Sequence, residues 1–184
     1  SKDFFDYSPI LIDELKDCLA DIVVRPLSVD AIIVVAQMCN RYSTPLTLRG
    51  SGTGNYGQCV PLDGGVVMVM SGLRKIRNFD SKSGEITVES GCLLRDINDE
   101  LIKHGRQLRL LPSTWRSASV GGFIAGGSGG IGSVRWGFLR DPGHLHALEV
   151  ITTEDSPRKL ELNASNSEAL NHAYGTNGII TSLL

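Results

Sequence analysis

The chain has 184 residues, a net charge of −2 and an ordinary composition apart from 21 glycines. That length fits one domain or two small lobes sharing an interface, and the charge gives no electrostatic case for nucleic acid or an anionic membrane. No apolar run approaches the ~20 residues of a transmembrane helix, no signal-peptide pattern opens the chain, and Cys18, Cys39, Cys59 and Cys92 form no C-x-x-C pair, which argues against metal fingers and for free thiols in a reducing compartment.

Ser8-Pro9 predicts a helix start, a capping hydroxyl followed by proline at the first helical position, with Leu11, Leu15 and Cys18/Leu19 on one face. Ile22-Val-Val-Arg-Pro26 reads as a short strand ending at proline. Ser28 caps a second predicted helix whose stripe is Ile32, Val35, Ala36 and Cys39. Pro45 to Arg49 is the next strand, and Gly65-Val-Val-Met-Val-Met70 is a continuous apolar run, as in a strand buried on both faces. This first part is a small, mostly parallel unit.

After residue 72 the pattern changes. Arg74-Lys75-Ile76-Arg77 reads as a solvated turn. Ile76 to Asp80 and Glu85 to Ser90 form a predicted hairpin. Leu93, Leu94, Ile97, Leu101 and Ile102 define a helix stopping at Gly105, with Asp96, Asp99 and Glu100 on its polar face. Further strands are expected at His146 to Thr152, at Arg158 to Leu162 paired with it, and at Gly178 to Leu184, with a short helix from Ser167 to Tyr174. The second part is therefore an antiparallel sheet with helices. The fold class is α+β with two lobes, at about 1–72 and 73–184.

Two glycine-rich stretches stand out, Arg49-Gly-Ser-Gly-Thr-Gly-Asn-Tyr-Gly57 and Ser119-Val-Gly-Gly-Phe-Ile-Ala-Gly-Gly-Ser-Gly-Gly-Ile-Gly132. Glycine loses more backbone freedom on folding than any other residue. It concentrates where the backbone turns sharply or lies against a ligand, and two such stretches point to a large phosphate-bearing ligand gripped by main-chain N–H groups. Both contain G-x-G-x-x-G, but the context for a Rossmann site fails. Gly57 leads into Gln-Cys-Val-Pro-Leu-Asp-Gly-Gly65, and Gly132 into Ser133-Val-Arg-Trp-Gly137, neither helical in pattern. No Gly-Lys-Ser/Thr follows, so a P-loop fails as well.

Taken in order, these segments resemble the FAD-binding domain of the vanillyl-alcohol-oxidase/para-cresol-methylhydroxylase superfamily, the FAD-linked oxidases, over nearly the whole chain. Thr47-Leu-Arg-Gly-Ser-Gly-Thr-Gly54 is similar to the family's pyrophosphate loop. Ala118-Ser-Val-Gly-Gly122 with Gly127-Ser-Gly-Gly130 is similar to its second flavin-contacting segment. Arg135-Trp-Gly137 stands at its aromatic-glycine pair, with Trp where Tyr is usual, and Gly175-Thr-Asn-Gly-Ile-Ile-Thr181 resembles its closing segment.

The resemblance implies that FAD is held by Arg49, Gly50, Ser51, Gly52, Thr53, Gly54, Asn55 and Gly57 in the first loop and by Pro112 and Ser113 before the second. It adds Ser119, Gly121, Gly122, Gly127, Ser128, Gly129 and Gly130 in the second stretch, then Trp136, and Gly178, Ile179 and Ile180 at the close. The first loop has no histidine, so noncovalent FAD is implied. The loop is most similar to the glycolate and D-lactate dehydrogenase type. That similarity implies hydride removal from a small 2-hydroxy acid, an electron acceptor, and a C-terminal substrate domain that contributes the catalytic base. A cytoplasmic location is expected, free or peripheral to a membrane through partner subunits. The reading from another class is a non-catalytic flavin- or nucleotide-binding module. Arg49 suits a phosphate or a carboxylate equally well, Arg135 and Arg140 could orient a carboxylate, and His144-Leu-His146 lacks a nearby third ligand for a metal.

Overall fold

A computed structural model describes residues 9–184; the Ser8 cap lies outside the described residues. Helix α1 spans Pro9–Leu15 and strand β1 spans Ile22–Val24. Leu15 packs on Val60, with Leu11 and Cys18 against them, whereas Leu19 is exposed rather than part of that face. Helix α2 covers Val29–Arg41, and the Ser28 hydroxyl accepts from the Ala31 N–H at 3.2 Å, closing its first turn. Strands β2 (Leu46–Arg49) and β3 (Val66–Val69) complete a three-stranded parallel sheet in the order β1-β3-β2. The central place of β3 explains its unbroken apolar run, since Val66, Val67 and Met68 are covered on both sides.

A 3₁₀ turn at Met70–Gly72 leads into the second lobe. Strands β4 (Ile76–Phe79) and β5 (Ile86–Glu89) form the expected hairpin, and α3 runs from Leu94 to Ile102. Helices α4 (Val120–Gly126) and α5 (Ser133–Trp136) follow, then strands β6 (Ala147–Ile151) and β7 (Lys159–Asn163), paired antiparallel. Helix α6 (Ala164–Ser167), a 3₁₀ turn at Glu168–Leu170 and strand β8 (Ile179–Leu183) close the chain order. The second sheet is antiparallel, in the order β4-β5-β8-β6-β7. Among the described residues no helix is long and apolar enough to cross a membrane.

Three expectations need correction. The second glycine stretch is not loop throughout: Val120, Phe123 and Ile124 have helical spacing and are buried in the core of the second lobe, and that burial holds α4 despite its glycines. Residues 133–136 are helical, a single turn tied by Trp136 N–H to Gly132 O at 2.9 Å. The helix expected from Ser167 to Tyr174 lies earlier, because the Asn163 side chain accepts from Asn166 N–H and starts α6 at Ala164.

The lobes share an apolar seam. Ile32, Ala36, Met68, Met70 and Leu73 pack with Ile151 and Ile179 from the second sheet. Each large side chain fully buried there contributes about 1.5–3 kcal/mol. Asn40 Nδ2 on α2 donates to Thr153 O at 2.5 Å across the same boundary.

Candidate functional site: an FAD cleft

Between the lobes lies an open cleft of about 1300 Å³, larger than most drug-sized ligand pockets. One wall is the loop after β2. The N–H groups of Ser51, Gly52, Thr53, Gly54 and Asn55 donate no hydrogen bond to any described residue. The next N–H, of Tyr56, bonds Gln58 Oε1 at 3.2 Å. A run of unspent donors on a glycine-rich loop is the arrangement that binds a phosphate oxyanion. Gly52 sits at φ 71, which opens the loop, with the Arg49 guanidinium packed directly behind it. Arg49 thus supports the loop from outside the cleft, its Nη1 3.2 Å from Cys59 Sγ.

The opposite wall is the start of α4. The N–H of Val120 bonds Cys92 O and that of Gly121 bonds Ser90 O, both at 2.8 Å, which pins the helix to the end of β5. Here the two glycine segments touch: a Cβ on Gly50 would stand 3.5 Å from Gly122 Cα and collide with Ser119 Oγ. The cleft floor carries Leu48 and Met70 from the first lobe and Gly178, Ile179 and Ile180 from the second.

The cleft gathers the expected loop residues from Gly50 to Asn55, along with Pro112, Ser113, Ser119, Gly121, Gly122, Ser128, Gly129, Gly130 and residues 178–180. It does not gather Arg49, Gly57, Gly127 or Trp136. Gly57 packs on Leu15 of α1, and Gly127 caps α4 against His172. The guanidiniums of Arg109 and Arg135 both lie over the Trp136 ring, 5.0 and 4.8 Å from its centroid, and Arg140 lies over Phe138. His144 bonds Trp136 O at 2.8 Å and His146 stands 3.6 Å from Glu85.

Sequence reading missed several lining residues, among them Ser90, Cys59, Trp115 and Tyr174. Ser90 precedes Gly91 in a segment read only as strand, and Tyr174 sits just outside the closing glycines. No spacing in the sequence marks either one.

The walls fit FAD. A diphosphate in the cleft would meet neutral main-chain donors, and among the described residues no Asp, Glu, Lys, Arg or His lines it. Ser90 Oγ and Ser119 Oγ are buried at its wall with no hydrogen-bond partner among the described residues. Chains rarely leave such groups unpaired, and a polar ligand in the cleft would give them partners.

A glycine-lined cleft between two lobes, with unspent main-chain donors on one wall, suits a nucleotide cofactor. The profile described as the FAD binding domain matches residues 20–159, and the chain belongs to that family, with FAD as its cofactor. It is 30% identical to a D-lactate dehydrogenase of Anaerostipes hadrus over 170 residues, 89% of this chain and 35% of that protein. It is 29% identical to the glycolate oxidase subunit GlcD of Bacillus subtilis (strain 168), over 72% of this chain and 28% of that protein. The solved structure of an alkyldihydroxyacetonephosphate synthase superposes with a TM-score of 0.75 at 22% identity, covering 88% of this chain and 30% of that one, and so shares the fold. The chain spans roughly a third of the length of the curated relatives it matches.

Proposed function

We propose that this chain is the cofactor-holding part of a flavin-dependent dehydrogenase of small 2-hydroxy acids, with FAD bound noncovalently. One observation carries the reading: a cleft with five unspent main-chain donors and no charged wall, in a chain similar to a D-lactate dehydrogenase and a glycolate oxidase subunit. The residues at 51–55 would hold the diphosphate. Gly50 and Gly122 let the two lobes close tightly along it, and Met70, Ile179 and Ile180 keep water from the floor.

Bound there, FAD supplies a hydride acceptor. The chain's own residues then bind, orient and desolvate. The substrate proton is left to a group outside this cleft, because a general base must stand within hydrogen-bond reach of the hydroxyl and among the described residues no carboxylate or imidazole lines the cleft. The base and the cation for the substrate carboxylate belong to a C-terminal substrate domain, and the electrons pass to a separate acceptor. A cytoplasmic, reducing location belongs to this reading, with Cys18, Cys39 and Cys92 as unbridged thiols.

The test has two arms. Purified chain should show flavin absorption, and acid should release the flavin intact, since the first loop has no histidine to hold it. The FAD-loaded 184-residue chain should not oxidise glycolate or D-lactate with an artificial dye, whereas the full-length protein should. Turnover by the chain alone would overturn the division of labour. Full-length protein that binds FAD but oxidises neither acid would favour the non-catalytic module.

A further inference from the structure

Between Leu170 and Gly178 the backbone does something L residues avoid. His172 at φ 61 and Tyr174 at φ 52 both occupy the left-handed region. Among the described non-glycine residues only Ser43 does the same, and it stands in the exposed turn after α2. Backbone held in this region costs stability and persists only where its surroundings enforce it, which happens most often beside ligands.

Here the enforcement is visible. The N–H of His172 donates to Ile124 O at 3.2 Å and that of Tyr174 to Ala125 O at 2.9 Å, so both residues hang from the end of α4. The His172 Cβ closes on Gly127, and the next glycine, Gly175, closes on Leu48 of β2. The side chains hold each other as well. His172 Nε2 and the Tyr174 hydroxyl are 2.8 Å apart, and the rings meet edge to face with centroids 5.1 Å apart. Tyr174 lines the FAD cleft while keeping 41% of its surface exposed. Its hydroxyl is already engaged by His172, so what it offers the cleft is its ring.

We propose that Tyr174 is an FAD-contact residue whose ring packs against a heteroaromatic ring system of the cofactor, and that His172 is a positioning residue that fixes that ring. The proposal rests on the FAD assignment. FAD carries two flat, polarisable ring systems, and an aromatic side chain held rigid before binding loses little entropy when it meets one of them. The strained backbone at 172 and 174 aims the ring, and the imidazole stops it from turning away.

The experiment is fluorescence titration of the intact protein with FAD and with FMN, alongside melting of the FAD-free protein. Asparagine tolerates the left-handed region, so Tyr174→Asn and His172→Asn remove the rings without adding strain. Tyr174→Asn should weaken FAD binding about tenfold, as loss of one stacked aromatic does, while leaving the FAD-free melting temperature unchanged or higher. Tyr174→Phe and His172→Asn should each weaken it about threefold, and together no more than the worse of the two, because they break one shared contact. If FMN binding falls equally, the ring meets the flavin; if only FAD binding falls, it meets the adenine. Parent-like FAD affinity in Tyr174→Asn overturns the proposal. So do additive effects of Tyr174→Phe and His172→Asn, or a melting temperature lowered by both with FAD affinity intact, since the pair would then be structural. If Tyr174→Asn itself melts early, the Phe variant and the coupling decide. Failure of the parent to bind FAD is a different result and would remove the cofactor assignment itself.

Discussion

Gly50 and Gly122 face each other across the seam between the lobes, with room for 3.5 Å between a Cβ on the first and the Cα of the second. Ser119 Oγ fills the remaining space, 2.9 Å from a Cβ on Gly122. The two glycine stretches of the sequence are therefore one contact in the fold, with a buried, unpaired hydroxyl between them.

That contact predicts a rescue. Gly50→Ala should destabilise the chain by roughly 1–3 kcal/mol, the usual range for overpacking, and weaken FAD binding as the lobes are pushed apart. Removing the obstructing hydroxyl with Ser119→Gly in the same chain should recover part of both losses. Thermal melts and FAD titrations on the four variants of the cycle measure the coupling. Strictly additive losses would show that the clash is relieved elsewhere.

Ser90 gives a cleaner sign. Its hydroxyl is buried without a partner, and an unpaired buried donor carries a penalty of about 1–3 kcal/mol. Ser90→Ala should leave the FAD-free chain as stable as the parent or about 1 kcal/mol more so, and it should weaken FAD binding. Urea unfolding with and without FAD reads both. A loss of stability without FAD would mean that an ordered water already satisfies the hydroxyl.

The thiols divide by burial. Cys39 and Cys92 are buried and Cys18 and Cys59 are partly exposed. A thiol reagent at neutral pH should label Cys18 and Cys59 in the folded, FAD-free chain, and FAD should protect Cys59, which lines the cleft. Burial pushes the Cys92 thiol up from 9.0 to about 11. A raised value in the folded state means that the unfolded chain loses its proton first. Stability from this group is therefore complete below 9.0 and falls as pH rises towards about 11. At about 1.4 kcal/mol per unit, the loss is on the order of 2–3 kcal/mol, and it should vanish in Cys92→Ala. Urea unfolding across that range provides the measurement.

At the other end of the pH scale, Glu149 matters. Burial alone would raise its carboxyl, but Lys159 at 2.5 Å, the Thr181 hydroxyl at 2.7 Å and Arg77 at 3.8 Å outweigh it and hold the group below its ordinary 4.5. A depressed value stabilises the fold above 4.5 and gives that stability up as pH falls through the folded value. Glu149→Gln should cost roughly 1.5–3 kcal/mol at neutral pH, the usual worth of a hydrogen bond to a charged group, and flatten the acid limb of the stability curve. An unchanged acid limb would place the sensitive carboxyl elsewhere.

The parallel unit, the hairpin and the last strand were legible in the sequence because each rests on local pattern: the Ser28 cap, the Val66–Val69 run and the turn between Phe79 and Ile86. The first glycine loop is legible for the same reason, since its run of unspent N–H groups comes from consecutive residues. Gly57 and Gly127 lie off the cleft lining, and a glycine packed against a neighbouring Leu15 or His172 looks the same in one dimension as a glycine beside a ligand. Helix α4 was hidden by its glycines, whose poor helix propensity is overridden by the burial of Val120, Phe123 and Ile124. Ser90 and Tyr174 are placed at the cleft by contacts distant in sequence: Ser90 N–H bonds Thr181 O and its carbonyl accepts from Gly121 N–H, and Tyr174 N–H bonds Ala125 O.

Strand β8 is the last of the described strands to leave the ribosome, yet it occupies the middle of its sheet, with the β4–β5 hairpin on one side and β6–β7 on the other. An isolated two-stranded ribbon is marginally stable in water, so during synthesis both hairpins wait, half-formed, for residues 179–183. Ile179 also belongs to the seam between the lobes, and the first lobe waits with them. A nascent chain of this design exposes the inner edge of β5 from the time the first hairpin emerges until residues 179–183 arrive, and the inner edge of β6 for a much shorter stretch. Until β8 arrives, that unpaired β5 edge is the part of the emerging chain most open to pairing with another strand.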